Sequence, residues 1–335
     1  MRDSIPVCYF PSTTIFIDDS YNFLVSLTLK ISNTLPIKMF KSPYEALQLI
    51  NNNQQRSEHF SQRCISEYLD STDKWPMTNQ TINIDLAAIH TEVYNPLRFN
   101  EISVLVVDYA MPGMNGLELC QQIENPAIKK ILLTGQADET IAINAFNAGI
   151  IHRYIRKHEP NVTEIIRNTI QQLQQQYFHQ VSESIITMLA VNSPNYLQDR
   201  KFADFFYQLV KENNIVEYYL TENSGSFLLL DEMANTSCLI MKNEQDLQLH
   251  YDLALDNKAP KEILEQLRTG EKIPCFWQPD GYQTEWTDWA TCLVPAKKLV
   301  CNETYYYAYT KTPISFDIRQ DKILSFHDYL KAEQE

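Results

Sequence analysis

From Ile102 to Val107 the chain reads Ile-Ser-Val-Leu-Val-Val, and the run stops at Asp108. A stretch so uniformly apolar and rich in Val lacks the alternation of a strand with one wet face. It predicts a central strand buried on both sides, as parallel strands are. Parallel neighbours must be joined by long crossovers, usually helices, so the chain around it should alternate strand and helix. It does. Thr14–Ile17, Ile37–Phe40, Lys130–Leu133 and Ile151–Ile155 read as further strands, and Tyr21–Leu35, Leu117–Ile123 and Glu139–Ala148 as the helices between them. Ser42-Pro43-Tyr44-Glu45 starts another helix: Ser42 caps, Pro43 suits the first position and Glu45 completes a capping box. The fold class expected is α/β, a five-stranded parallel sheet with helices on both faces.

Two stretches depart from this rhythm. Residues 51–100 open with an Asn/Gln run, Asn51 to Gln55, read as a solvated loop, and hold few apolar residues before Ile82. They read as an insertion, with one helix around Ile84–Tyr94. From Asn161 a long helix is expected to about Leu189. Ile166, Ile170, Leu173, Tyr177, Val181, Ile185 and Met188 keep one apolar phase along it. Beyond about Gln175 such a helix outruns a sheet of this size. It then needs a partner, either elsewhere in the chain or on a second copy. Ser193-Pro194-Asn195 breaks it. Past that point the style changes to an α+β pattern. Strands are expected at Val216–Thr221, Ser226–Asp231, Cys238–Lys242 and Tyr305–Tyr309. Helices are expected at Phe202–Val210, Asn243–Asp256, Lys261–Arg268 and Ile323–Ala332. Trp277, Trp286 and Trp289 fall in a loop-rich stretch and read as core or as the lining of a ligand site.

Composition narrows the function. Only seven of 335 residues are Gly, which excludes a Gly-patterned dinucleotide fingerprint. The formal net charge is −14, with the larger share in residues 191–335, and no helix there gathers positive charge. DNA binding is therefore not expected. The seven cysteines are odd in number and form no C-x-x-C pair, against a disulfide framework or a zinc ribbon. No pair of His stands at helical ligand spacing. The first residues show no leader pattern and no apolar run approaches ~18 residues, so a cytoplasmic protein without membrane contact is expected.

The polar residues at the strand ends carry the chemistry. Asp18 and Asp19, Asp108, Thr134 and Lys157 each fall at or just past the carboxyl end of an expected strand. In an open parallel sheet those ends meet at one crevice. Asp18 and Asp19 alone read equally as a helix cap, and Lys157 alone as a surface lysine. Their shared register points to a site. Three carboxylates brought together need a cation, and oxygen-only ligands favour Mg²⁺. An Asp beside such an ion can act as nucleophile toward a phosphoryl group, with a Thr hydroxyl and a Lys ammonium stabilising the phosphoryl oxygens.

The sequence Asp18-Asp19, then Val106-Val107-Asp108-Tyr109-Ala110-Met111-Pro112-Gly113-Met114-Asn115-Gly116, then Leu133-Thr134-Gly135, then Tyr154-Ile155-Arg156-Lys157 resembles the receiver domain of two-component response regulators. The resemblance covers residues 12–170. It implies a flavodoxin-like receiver fold in which Asp108 accepts a phosphoryl group from a sensor histidine kinase. It implies Mg²⁺ held by Asp19, Asp108 and the Ala110 carbonyl, with Asp18 acting mainly through water. Thr134 and Lys157 would contact the phosphoryl group, and Tyr154 matches an aromatic switch that follows Thr134. Ala110 and Gln136 match two positions that tune hydrolysis. The pattern of the whole chain is similar to that of response regulators in bacterial quorum sensing.

Two departures stand out: His158 follows Lys157 where the family has Pro, and residues 51–100 replace a short loop. The expected organisation is a receiver over 1–160 with that insertion, a connecting helix over 161–192 and an α+β output domain over 193–335. The protein would be a phosphoacceptor signalling protein rather than an enzyme, a homodimer when phosphorylated. An output domain that binds a ligand or nucleotide, with regulatory or enzymatic activity, is the alternative.

Overall fold

A computed structural model describes residues 4–31, 34–69, 80–135, 139–192, 196–222, 225–275, 293–311 and 318–333. Trp277, Trp286, Trp289 and Gln136 lie outside the described residues. The chain divides into two compact units that are not consecutive in sequence. One holds Tyr9–Asn83, Asn95–Ile185 and Phe326–Glu335; the other holds Met1–Cys8, Ile84–Tyr94 and Ile186–Ser325.

The first unit is built on five parallel strands: β1 (Thr13–Ile17), β2 (Ile37–Phe40), β3 (Ile102–Asp108), β4 (Lys129–Thr134) and β5 (Arg153–Arg156). Their order across the sheet is β2-β1-β3-β4-β5. The order reverses between β1 and β3, the place where open α/β sheets form their crevice. Every residue of β1 and β3 is buried, as the apolar run of β3 requires. Helices α1 (Tyr21–Thr28) and α5 (Val162–Asn192) supply Leu24, Leu27, Ile166, Ile170 and Leu173 to one core. The sheet supplies Phe16, Val104, Val106, Ile131, Leu133 and Ile155 to it. Helices α2 (Pro43–Cys64), α3 (Gly116–Gln122) and α4 (Glu139–Asn147) also pack on the sheet strands.

Two expectations change and one open alternative is settled. The Asn/Gln run is not a loop: α2 continues through it to Cys64, because no Gly or Pro interrupts residues 44–64. The chain then forms a two-stranded sheet, Ile65–Leu69 with Gln80–Ile84, and a short helix, Leu86–Thr91. The stripe of α5 beyond Gln175 finds partners inside its own unit. Phe178 packs edge-on against Phe10 with ring centres 4.7 Å apart, and Tyr177 Oη donates to Glu101 Oε1. Finally, Phe326–Ala332 belongs to this unit, not to the output region. Phe326 and Tyr329 pack on Phe99, and Tyr329 Oη donates to Asn100 Oδ1 at 2.9 Å.

The second unit carries a six-stranded sheet in the order Cys8–Tyr9, Ile215–Leu220, Phe227–Asp231, Thr236–Asn243, Thr304–Thr310, Lys297–Val300. Ile215–Leu220, Phe227–Asp231, Thr236–Asn243 and Thr304–Thr310 pair antiparallel in that order. Asn243 caps the helix Glu244–Asp256 through a capping box with Asp246, and Arg200–Glu212 packs Phe202 and Phe206 into an aromatic core with Tyr218, Phe227 and Tyr305. The edge strand Cys8–Tyr9 comes from the opposite end of the chain, where the Val7 carbonyl accepts from Leu220 N–H at 2.7 Å.

Candidate functional site

The carboxyl ends of β1, β3, β4 and β5 bring together the residues that the strand pattern singled out. Asp18 follows β1 and is fully buried; Asp19 beside it is exposed. Asp108 ends β3 and is buried. One carboxylate oxygen from each of these three lies within 4.8 Å of the others. Lys157, just past β5, reaches into the group: its Nζ stands 2.8 Å from Asp18 Oδ2 and 2.9 Å from Asp108 Oδ2. Thr134 ends β4, and its carbonyl accepts from Lys157 N–H at 3.0 Å. Its own Oγ1 is buried with no hydrogen-bond partner.

The electrostatics follow from this packing. Burial raises the Asp108 carboxyl above its ordinary range. The hydrogen bond and charge of Lys157 pull the other way, and the charge of Asp18 adds to the rise. Burial opposes the charge on Lys157. The hydrogen bonds and charges of Asp18 and Asp108 outweigh it, and the ammonium is held more firmly than usual. The site therefore keeps its lysine charged and its buried carboxylates in competition for one cation.

Local backbone chemistry sets Asp108 in place. Tyr109 N–H bonds to the Leu133 carbonyl and Gly116 N–H to the Tyr109 carbonyl, both at 3.0 Å, so the chain turns back at once after β3. Gly113 takes φ +83°, a conformation that favours glycine. At Gly116 a Cβ would lie 2.2 Å from the Asp108 carbonyl oxygen, so only glycine allows the start of α3 to approach Asp108 so closely. Asn115 then caps α3 in a capping box with Glu118.

Tyr154 lies half-buried in β5, opposite Leu132. Ala110 is exposed, and its amide bonds to the Asp108 carboxylate. His158 is exposed and lines, with Thr134, Arg156, Glu159 and Pro160, a cavity of about 240 Å³. Sequence reasoning did not find several neighbours of the site. Ser20 N–H donates to Asp18 Oδ1 at 2.8 Å, and the Phe23 ring lies 4.9 Å from Lys157 Nζ. Tyr44 Oη donates to the Gly113 carbonyl at 3.2 Å. A strand-end Asp two positions before a helix start was a readable signal for the first, because an Asp side chain accepts from the backbone amide two residues on. The other two depend on where helices place their side chains, which spacing does not reveal.

The family model described as the response regulator receiver domain matches residues 73–171. The solved structure of the Legionella pneumophila response regulator LqsR is 52% identical. That match covers 99% of this chain and 97% of that one with a TM-score of 0.82. A response regulator receiver domain protein from Clostridium thermocellum is 19% identical over 48% of this chain and 98% of its own, with a TM-score of 0.30. An adenylate cyclase from Rhodopirellula baltica is 22% identical over 53% of this chain and 98% of its own, at 0.36. No curated protein sequence matches the chain.

Proposed function

Because the chain belongs to the response regulators, we propose that it is a phosphoacceptor switch whose Asp108 takes a phosphoryl group from a sensor histidine kinase. The observation that carries this reading is the convergence of Asp18, Asp19 and Asp108 under the ammonium of Lys157, beside a buried Thr134 hydroxyl that has no partner. A satisfied structural ion pair has no use for that hydroxyl. A phosphoryl oxygen placed on Asp108 would give it one.

The donor set also fits Mg²⁺. All the candidate ligands are oxygens, only a few are carboxylates, and the exposed Asp19 leaves the cluster open to water. Asp19, Asp108 and the Ala110 carbonyl would hold the ion, with Asp18 supporting it through water. When bound, the ion neutralises charge on the donor's phosphoryl oxygens. The rest falls to the protein. A carboxylate oxygen of Asp108 attacks phosphorus. The new O–P bond forms as the donor's P–N bond breaks, and the leaving imidazole takes up a proton from water. Lys157 Nζ and Thr134 Oγ1 donate to the phosphoryl oxygens, which carry about −1.5 to −2 charge at neutral pH. Tyr154 responds to the movement of Thr134, and Ala110 and Gln136 tune the return to the free carboxylate.

The output follows from association. Helix α4 exposes Ile143 and Phe146, which stand three residues apart on one face and support self-association on phosphorylation. We place the protein in the cytoplasm, in a quorum-sensing circuit. Contacts between proteins rather than with DNA would transmit the signal, in keeping with the net charge of −14. None of the described helices is long and apolar enough to cross a membrane.

Mass mapping after treatment with phosphoramidate and Mg²⁺ tests the chemistry. A single phosphoryl group on Asp108, absent in Asp108→Asn, is the expected result. Equal labelling of that variant would overturn it. Light scattering on the same samples tests association: an unchanged mass in solution at micromolar concentration would remove the dimer.

A further inference from the structure

Helix α2 is attached to the segment after Asp108 at two places. In its first turn, Tyr44 Oη donates to the Gly113 carbonyl at 3.2 Å. Two turns later, Asn51 Nδ2 donates to the Gln122 carbonyl at 3.1 Å, and its Oδ1 accepts from Glu124 N–H at 3.4 Å. These attachments bracket α3. One holds the loop before it and the other its last turn and the residues beyond. The Tyr44 ring also lies against Gly113, where a Cβ would meet Cε2 at 3.5 Å.

The loop so held is short and tightly bonded. Its first residue is tied to β4 through Tyr109 N–H, and its last is pressed on the Asp108 backbone at Gly116. Between them, Ala110 touches the Asp108 carboxylate through its amide. Ala110 and Gly113 are separated only by Met111, which is buried, and Pro112, whose φ is fixed. A shift of the Gly113 carbonyl therefore passes to Ala110 with little room for absorption. The same helix runs on to Cys64 and carries the inserted two-stranded sheet.

We propose that Tyr44 is a positioning residue for cation binding. Its hydroxyl, with Asn51 as a second tether, holds the Asp108 loop so that the Ala110 carbonyl and the Asp108 carboxylate face one ion together. Helix α2 thereby joins the inserted segment to the acceptor site. The proposal rests on the phosphoacceptor reading given above. Tyr44→Phe is the sharp perturbation, because it keeps the ring on Gly113 and removes only the donor.

The experiment uses the full chain and two readouts. Mg²⁺ alone is titrated by calorimetry into wild type, Tyr44→Phe and Asn51→Ala. Initial rates of Asp108 labelling by phosphoramidate are then measured across Mg²⁺ concentrations. Losing one net hydrogen bond to the loop should weaken Mg²⁺ binding about three- to ten-fold in Tyr44→Phe. The Mg²⁺ concentration for half-maximal labelling should rise by the same factor, and the rate at saturating Mg²⁺ should stay within about two-fold. Asn51→Ala, a milder tether, should weaken binding by roughly two- to five-fold. Unchanged Mg²⁺ affinity in Tyr44→Phe, or a loss confined to the saturated rate, would overturn the proposal. If Tyr44→Phe fails to fold, wild-type affinity in Asn51→Ala would do the same. A wild-type protein that binds Mg²⁺ but is not labelled defeats the phosphoacceptor reading alone, since calorimetry still judges the tether.

Discussion

Replacing Lys157 by Met keeps the aliphatic stem and removes one charge from between two buried carboxylates. The substitution breaks two ion pairs, one of 2.8 Å to Asp18 and one of 2.9 Å to Asp108. At an effective dielectric of ~20, each is worth about 6 kcal/mol of Coulomb energy before desolvation. Desolvation offsets much of that, and stripping one partner from a buried pair costs about 3–5 kcal/mol in practice. Solvent does little to soften the loss, because the side chains of Asp18 and Asp108 are only 1% and 7% exposed. For a unit of this size the thermal midpoint should fall by on the order of 10 °C without Mg²⁺. The ion discriminates between explanations. In the wild type it must share the carboxylates with Lys157; in the variant it does not. Mg²⁺ should therefore stabilise the variant, by about 2.7 kcal/mol at a hundredfold excess over its dissociation constant, and raise its midpoint more than the wild type's. Labelling of Asp108 should be lost at every Mg²⁺ concentration. Differential scanning calorimetry with and without Mg²⁺ reads the two stability effects, and mass mapping reads the labelling. A metal-free midpoint within about 2 °C of wild type, or a Mg²⁺ shift no larger than wild type's, would refute the reasoning.

Three further outcomes are expected. Gly116→Ala places a Cβ 2.2 Å from a backbone oxygen, so α3 must move off Asp108. Urea denaturation should show a loss of about 1–3 kcal/mol, and an unchanged midpoint would mean the loop gives freely. Asp108→Asn removes a carboxyl whose pKa is raised mainly by burial. The metal-free variant should melt about 1–3 °C higher than wild type at neutral pH, and a lower midpoint contradicts the balance of charges described. In the second unit, burial and then the charge of Lys242 hold His250 down to about 4 from 6.5, against the opposing charge of Glu222. The unfolded chain binds that proton more readily, so stability should fall as pH drops from about 6.5 to 4, by up to roughly 3 kcal/mol. His250→Gln should flatten this stretch of the acid-unfolding curve; an unaltered slope assigns the acid sensitivity elsewhere.

The receiver sheet was readable because its central strand is apolar on both faces. Ile102–Val107 admits only parallel neighbours, and those require helices at the intervals where Tyr21, Gly116 and Glu139 begin them. The second unit's meander was readable for a different reason: short β-rich runs alternate with turn residues, and their antiparallel register follows. Hydrophobic pattern names a strand but not the sheet it joins. Cys8–Tyr9 is only two residues long and completes a sheet whose other strands begin more than 200 residues later. Phe326–Ala332 has the pattern of any amphipathic helix, and its packing on the buried ring of Phe99, with the Tyr329–Asn100 hydrogen bond, explains its place in the first unit. The Asn/Gln run misleads for a third reason. Polar residues of modest helix propensity mark a loop only when a breaker accompanies them, and α2 has none after Pro43.

The site divides in the same way, and the division has a cause. Residues at strand ends are placed by topology. Once the strands are parallel and ordered, Asp18, Asp108, Thr134 and Lys157 must approach one another whatever the loops do, and the 2.8 and 2.9 Å contacts of Lys157 follow from that. Residues that act from helices are placed by rotation and reach. Tyr44 could face any direction until α2 settles on the sheet, and nothing in its spacing from Asp108, 64 positions on, marks it as a neighbour of Gly113. The chemistry of this crevice is thus carried by groups the backbone fixes, and its adjustment by groups that packing fixes. A change within the helix that bears Tyr44 leaves Asp18, Asp108, Thr134 and Lys157 where the strands place them and reaches this crevice only through the loop that Tyr44 bonds at Gly113.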